Sequence, residues 1–497
     1  YADHTNREHE QALQRSRAQR PYLYALLAVL AIGVVSVFML YRSAVVARDA
    51  AQRELTRANT LNQFLNEDLI GRSNPLVAAK GQEASLKDIL LGARDRAATR
   101  FASEPLTEAT IHTSLAMLLN MIELLPEAES EARAALTLYE REQGERNLDT
   151  LKARTLLARL LTRTAKFDEA RTQIETIEGF AAGSEDPQLL YLAHSARGLY
   201  HMNQGEFAKA LPHYRIAIPA LATIEPDNRT MLDSMRIDQI NALTQTQALA
   251  EARQVGRTLL DEINARSDEN GLVAAFATAA VSRSYTLDGQ LEKAESGLLE
   301  AQKIIVQLLG EGHTRNIMIL SDLFDIAVKR EDWPHAIDYA HRVYEGMRAR
   351  LGDDHNITAT TQINLGQVLY ENGDAKAAEV PLGNAVRVLN QLPETNPYRQ
   401  TAAFWMAATA IELGKLDAAN TLLQPLTAEV LEAGAADGAW QYRLDALRGL
   451  LAAKRGDSAA AAALLQSAAQ GFAEKSTGAS LKDRAQRALQ AIHADKR

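Results

Sequence analysis

Residues 198–218 read GLYHMNQGEFAKALPHYRIAI, from Gly198 to Ile218. Small residues stand at Gly198, Gly205, Ala210 and Ala217, and aromatic ones at Phe207 and Tyr214. A glycine in the middle of such a string marks a tight turn, because it adopts positive φ without steric cost. Ala210 lies five residues beyond that turn and Ala217 twelve beyond it. Two small residues spaced by seven fall on one helix face and let another backbone come close.

The string recurs. Aligned on the turn residue, copies centre on Glu123, Ala165, Gly205, Gln247, Gly289, Glu331, Gly373, Gly414 and Gly456, with successive differences of 42, 40, 42, 42, 42, 42, 41 and 42. Five residues on, every copy has alanine: Ala128, Ala170, Ala210, Ala252, Ala294, Ala336, Ala378, Ala419 and Ala461. Seven before the turn, Gly198, Ser282 and Gly366 keep the preceding helix small where it faces that alanine. Two residues after the turn, Phe167, Phe207, Leu249, Leu291, Trp333 and Leu416 are placed to fill the wedge between helices. So regular a period is the signature of a repeat array, in which no helix pair buries its face alone and neighbours must stack.

The repeat resembles the tetratricopeptide repeat over about Ser103 to His493. The period exceeds that family's usual length. The extra residues lie between units, where LGEGHTRNIMIL (309–320) and LGDDHNITATTQINLG (351–366) resemble the linkers of the long, kinesin light chain type. The period overlaps that of HEAT repeats, but the turn glycine and small-residue spacing favour the tetratricopeptide reading. The resemblance implies an all-α chain, a right-handed solenoid of helix-turn-helix units over 103–480. A lead-in helix is expected over 85–102, and a closing helix with a tail over 481–497.

Composition agrees. The 497 residues are 46% apolar but only 5% aromatic, which suits helices rich in Ala and Leu. The net charge of -9 argues against direct nucleic-acid binding by this chain. There is no cysteine, so thiolate and disulfide chemistry are excluded, and neither redox compartment is favoured.

Before the repeats, YLYALLAVLAIGVVSVFMLY (22–41) carries no charge over 20 residues, the length that crosses about 30 Å of hydrocarbon. Tyr22, Tyr24 and Tyr41 sit where interfacial aromatics belong. A transmembrane helix is therefore expected, in preference to a buried core helix or a cleaved signal peptide. Arg15, Arg17 and Arg20 before it favour a cytoplasmic tail (1–21) and exported repeats. Residues 42–71 read as a stalk helix, in which Leu55, Ala58, Asn62, Leu65 and Leu69 allow a dimerising coiled coil or an amphipathic helix packed on the next domain. Residues 72–84 form a linker with Pro and Gly.

No catalytic signature is present: no phosphate-binding glycine loop, HExxH or nucleophile elbow. His313 and His355 occupy equivalent linker positions nearly a full repeat apart, which suits backbone hydrogen bonding better than metal ligation. No enzyme activity, cofactor or metal is expected of this chain. An array offers instead a concave groove lined by the first helix of each unit. The inward positions are Asn120; Arg159 and Arg163; Asn203; Asn241 and Gln245; Arg283; Asp325 and Lys329; Gln367, Tyr370 and Glu371. Arg159, Arg163, Arg283 and Lys329 point to an acidic segment or a terminal carboxylate as ligand.

The phrases NQFLNEDLIGRSNP and ARDRAATRFASEP, between span and repeats, resemble those of bacterial one-pass signalling proteins. That resemblance covers about Asn59 to Ala116. It implies a cytoplasmic output domain before Tyr1, either a winged-helix transcriptional regulator or a serine/threonine kinase, which these residues do not include. The expectation is an inner-membrane sensor whose periplasmic repeats bind a protein or peptide and relay through the span. The alternative is a static membrane-tethered scaffold for a multiprotein assembly.

Overall fold

The computed structural model describes residues 36–42, 44–45, 48, 86–101, 103–266, 271–434, 438–474 and 479–494. Of the expected span, only 36–41 falls among them, as helix with exposed side chains. The stalk beyond residue 48 and the linker 72–84 lie outside the described residues. Among the described residues no helix is long and apolar enough to cross a membrane.

The chain is all-α in its described parts. It divides into two compact units, 1–204 and 205–497. In the first unit, α1 (Leu86–Arg100) leads into the pairs α2 (Pro105–Met121) and α3 (Leu125–Gln143), then α4 (Leu148–Arg163) and α5 (Phe167–Ala181), and ends with α6 (Pro187–Asn203). The second unit opens with α7 (Phe207–Ile224). It continues through α8 (Arg229–Gln245) and α9 (Leu249–Ala265), α10 (Gly271–Leu287) and α11 (Leu291–Leu309), α12 (Thr314–Lys329) and α13 (Trp333–Leu351), and α14 (Asn356–Glu371) and α15 (Ala375–Leu389). There follow α16 (Pro397–Glu412), α17 (Leu416–Leu423), α18 (Ala428–Gly434), α19 (Trp440–Lys454), α20 (Ser458–Glu474) and α21 (Ala479–Ala494). Within each unit a helix packs on its sequence neighbours and, at several steps, on the helix two before it.

The turn register is written into the backbone. All nine turn residues have positive φ: the glycines at 73–89°, and Glu123, Ala165, Gln247 and Glu331 at 56–62°. Those four are the non-glycine residues with positive φ among the described residues. An L-residue in that conformation costs about 1 kcal/mol or more. The turn holds it because the next amide closes the preceding helix with a 6→1 bond. Lys166 N–H donates to the Leu161 carbonyl at 2.9 Å, Gln290 to Tyr285 at 2.9 Å and Asp374 to Leu369 at 2.9 Å. The second helix then starts two residues past each turn, at Leu125, Phe167, Phe207, Leu249, Leu291, Trp333, Ala375, Leu416 and Ser458. Phe167, Leu291 and Leu416 are half-buried there and pack against their unit's core.

The small residues serve close approach. All nine alanines five past the turn are fully buried. A Cβ on Gly366 would stand 2.3 Å from Leu382 on the paired helix, and one on Gly297 would stand 2.3 Å from the Ser282 hydroxyl. Larger residues at these positions would force the helices apart.

Six of the first helices are started by side-chain caps, which satisfy amides that have no partner inside the helix. Asn147, Asp186, Asn228 and Asn396 accept from amides two or three residues on. His313 and His355 do the same, their Nδ1 atoms accepting from Arg315 and Ile357 N–H at 3.2 Å. The repeated linker histidines are thus helix caps.

One unit departs from the pattern. Pro425 interrupts its second helix, leaving α17 and α18. The freed backbone groups find side chains. Arg448 donates to the Leu426 carbonyl at 3.0 Å, and Gln400 Oε1 accepts from Thr427 N–H at 3.0 Å.

Candidate functional site

The first helices carry the expected groove positions, and the structure places them as follows. In the first unit, Arg163 at the end of α4 donates to Asn120 Oδ1 at the end of α2. Arg159 is half-buried one turn earlier. Asn203 is exposed at the end of α6 and donates to its own helix, at the Leu199 carbonyl, over 3.0 Å.

In the second unit, Arg283 on α10 joins three successive first helices. Its Nε donates to Asp322 Oδ2 on α12 at 2.8 Å, and its Nη1 donates to Asn241 Oδ1 on α8 at 3.1 Å. Asn241, Arg283 and Asp322 thereby form a polar rung across the helix faces. Gln245 lies one turn beyond Asn241 and is exposed. Asp325 and Lys329, also exposed, lie one and two turns beyond Asp322. Gln367 and Glu371 on α14 are half-buried.

Asp322 and Asp325 stand close on one helix face, and burial acts against both charges. It raises the Asp322 carboxyl above its ordinary value despite the ion pair with Arg283. Asp325 is pushed up to about 6, first by desolvation, then by the like charge of Asp322, with Lys329 opposing. Asp325 is itself exposed, so solvent screens part of this effect. A carboxylate held in this state gains by meeting a donor or a cation.

Tyr370 does not line an open surface. It is 1% exposed. The Arg484 guanidinium of α21 lies 4.3 Å over its ring. Arg484 also pairs with Glu412 at the end of α16, at 2.7 Å.

Spacing alone did not single out the links at the turn edge of the array. In the first unit Lys166 Nζ contacts both Glu129 oxygens at 2.9 Å, and Arg133 bridges Glu129 and Glu169. In the second, Arg330 pairs with Glu295 at 2.6 Å, Lys415 with Glu379, and Arg455 with Asp417 at 2.6 Å. The Arg253–Asp288 pair, at 3.0 Å, makes a similar link with the charges exchanged. These links tie one unit's second helix to the next unit's turn.

A depression of about 400 Å³ lies between α17 and α19. Its two arginines, Arg448 and Arg455, are spent on backbone carbonyls of the interrupted helix and on Asp417. That depression belongs to the repair of the Pro425 break. Among the described residues no cluster of His, Asp and Glu is arranged to hold a metal ion.

The chain is similar to BtubC from P. vanneervenii at 16% identity, covering 49% of this chain and 93% of that one with a TM-score of 0.39. It is similar to a putative kinesin light chain repeat protein from Podosopora anserina at 16% identity, over 42% of this chain and 99% of that one, TM-score 0.37. It is similar to a Rap protein complexed with Competence and Sporulation Factor at 17% identity, over 78% and 98%, TM-score 0.38. At such scores these likenesses carry no argument about function. No curated protein matches the chain. The tetratricopeptide-repeat family model matches residues 319–391, which hold α13, α14 and α15, and the same turn and small-residue register runs through the described helices on either side.

Proposed function

We propose that the chain is a protein- or peptide-binding module whose partner lies along the first helices of the second unit. The observation that carries this reading is the polar rung Asn241–Arg283–Asp322, with Gln245, Asp325 and Lys329 beside it on the same helix faces. A rung of this kind fixes side chains before a ligand arrives, which lowers the entropy lost on binding. The ligand's charge is read differently from the sequence expectation of an acidic segment. Arg163 and Arg283 are already engaged by Asn120, and by Asn241 and Asp322. The destabilised Asp325 carboxylate favours a ligand that brings a positive or donor group.

A photo-cross-linking residue at Gln245 or Gln367, compared with one at the exposed Val380 on α15, tests this in the producing cell. Discrete cross-linked products from 245 and 367 but not from 380 are expected. Equal products at all three positions, or none at 245 and 367, would overturn the reading.

We further propose that residues 22–41 anchor the module, with the repeats exported and a cytoplasmic output domain receiving the signal. The uncharged run of 20 residues and the arginines before it support this. An alkaline phosphatase fused after residue 497 is active if the repeats are exported, and an inactive fusion in a stably made protein contradicts the orientation.

A further inference from the structure

Near their N-termini the first helices of the second unit carry an exposed apolar row. Met318 on α12 is 40% exposed, Ile357 on α14 51% and Tyr398 on α16 50%. Phe276 on α10, half-buried, heads the row and packs on the core beneath it. The repeat register relates the four. Phe276 and Met318 stand thirteen residues before their turns, and Ile357 and Tyr398 sixteen before theirs. Positions three residues apart share a helix face, one turn removed. Arg315, also sixteen before its turn, shows what this step brings together: its guanidinium lies 4.8 Å from the centre of the Phe276 ring on the preceding first helix. One repeat on, the same two positions are held by Ile357 and Met318. An arginine over an aromatic ring is thus followed by an aliphatic pair. Exposed apolar residues standing singly are ordinary, whereas a row at a repeated register marks a contact surface.

The row adjoins the polar rung. Met318, Asp322 and Asp325 are spaced by four and three residues on α12, so they lie along one face, with Asp325 about 10 Å from Met318 along the helix axis. A purely apolar partner would leave the Asp325 carboxylate unanswered, and a purely basic one would leave the row in water. A segment that brings both kinds of side chain matches both. From α10 to α16 the row takes three steps between first helices, on the order of 30 Å, which an extended segment of about nine residues spans.

We propose that Met318, Ile357 and Tyr398, with Phe276 at their head, are the apolar half of the binding surface, and that they take an extended peptide segment whose large apolar side chains lie on the row while a basic side chain reaches Asp325. The proposal rests on the reading of the first helices as the binding surface and adds the composition of the ligand. Asp325 selects the charge. The row supplies the buried apolar area, without which an exposed ion pair contributes little.

The test uses the full chain, its Met318→Ser/Ile357→Ser double variant, and peptides selected against the unchanged chain from a random twelve-residue library. Both positions are exposed, so the circular dichroism and Tm of the variant should match the parent. Should the double variant melt early, the Met318→Ser single variant carries the same comparison. The selected peptides should share two or more large apolar residues and a lysine or arginine. They should bind the double variant at least tenfold more weakly than the parent, and Asp325→Asn at least threefold more weakly. Val380→Ser, an exposed position on α15, should bind them as the parent does. Peptides that bind the double variant as tightly as the parent overturn the proposal, and so does a library that yields no binder. A parent that dimerises at micromolar concentration while the double variant does not also overturns it, because a second copy would then cover the row. The reading of the first helices fails separately. Cross-links from 245 and 367 that persist beside an unaffected double variant sink the apolar row alone, and their absence sinks the surface itself.

Discussion

Glu129 at the turn edge of the first unit and Asp325 on the first-helix face of the second are acted on in opposite directions. Burial alone would raise the Glu129 carboxyl, but hydrogen bonds from Lys166 and Arg133 outweigh it and hold the group below its usual value. Around Asp325 desolvation is reinforced by Asp322, and Lys329 does not offset it, so the carboxyl sits at about 6. At the turn edge the linked acids are each answered by a base across the unit boundary, from the next unit at Glu129, Glu295, Glu379 and Asp417 and from the preceding one at Asp288. The first-helix face of the second unit is left with a carboxylate that its surroundings penalise. Stability is concentrated at the first place and given up at the second, as functional surfaces commonly do.

The largest break in this comparison comes from Glu129→Gln. It removes the charge that two cations share and leaves them one neutral acceptor oxygen, and should cost about 1–3 kcal/mol locally. Because the folded pKa is depressed, this stabilisation is present in full above the unfolded carboxyl value of about 4.3 and is lost as pH falls through the folded value. Hydrogen exchange of α3 and α5, compared between variant and parent at pH 7 and pH 3.5, reads it. A variant as protected as its parent at pH 7 would remove the turn-edge half of the comparison.

Asp325→Asn sharpens the other half with the opposite sign. The folded pKa is raised, so folding disfavours the charged form, and stability falls as pH rises from about 4 to about 6. The asparagine variant should match the parent near pH 4 and show a higher Tm from pH 6 upward, by a smaller amount than Glu129→Gln lowers it. A thermal scan at both pH values checks the sign, and a lower Tm at pH 7 would contradict it.

The smallest effect belongs to the turns. Glu331→Gly places the permissive residue at φ 56° and should stabilise α12 and α13 by about 0.5 kcal/mol, since relief of strain is partly cancelled by unfolded-state entropy. Exchange protection of these helices measures it. Gly289→Ala, at φ 73°, should shift the neighbouring pair the other way.

The local parts of the fold were legible because they depend on residues close in sequence. A positive-φ turn, an alanine five residues on and a small residue seven before are letters at fixed offsets. The 42-residue spacing identifies even the turns that carry Glu, Ala or Gln in place of glycine. The turn-edge links were not legible, because their letters move. Lys166 and Lys415 follow their turn residues, Arg330 precedes its own, and Arg253 with Asp288 exchanges the charges. The candidate site was legible as positions and not as states. Spacing put Asn241 and Arg283 on one face. It could not show that Arg283 is spent on Asp322, or that Tyr370 is covered by a residue 114 positions away.

Carboxyl footprinting tests the central claim most directly. The full chain, alone and saturated with a peptide selected against it from a random library, is treated with a carbodiimide and an amine that labels accessible acids. The account predicts that the peptide protects Asp325 on α12 and leaves the exposed Asp338 on α13 labelled as before. Protection of Asp338 with Asp325 unchanged would place the binding surface on the second helices and contradict it.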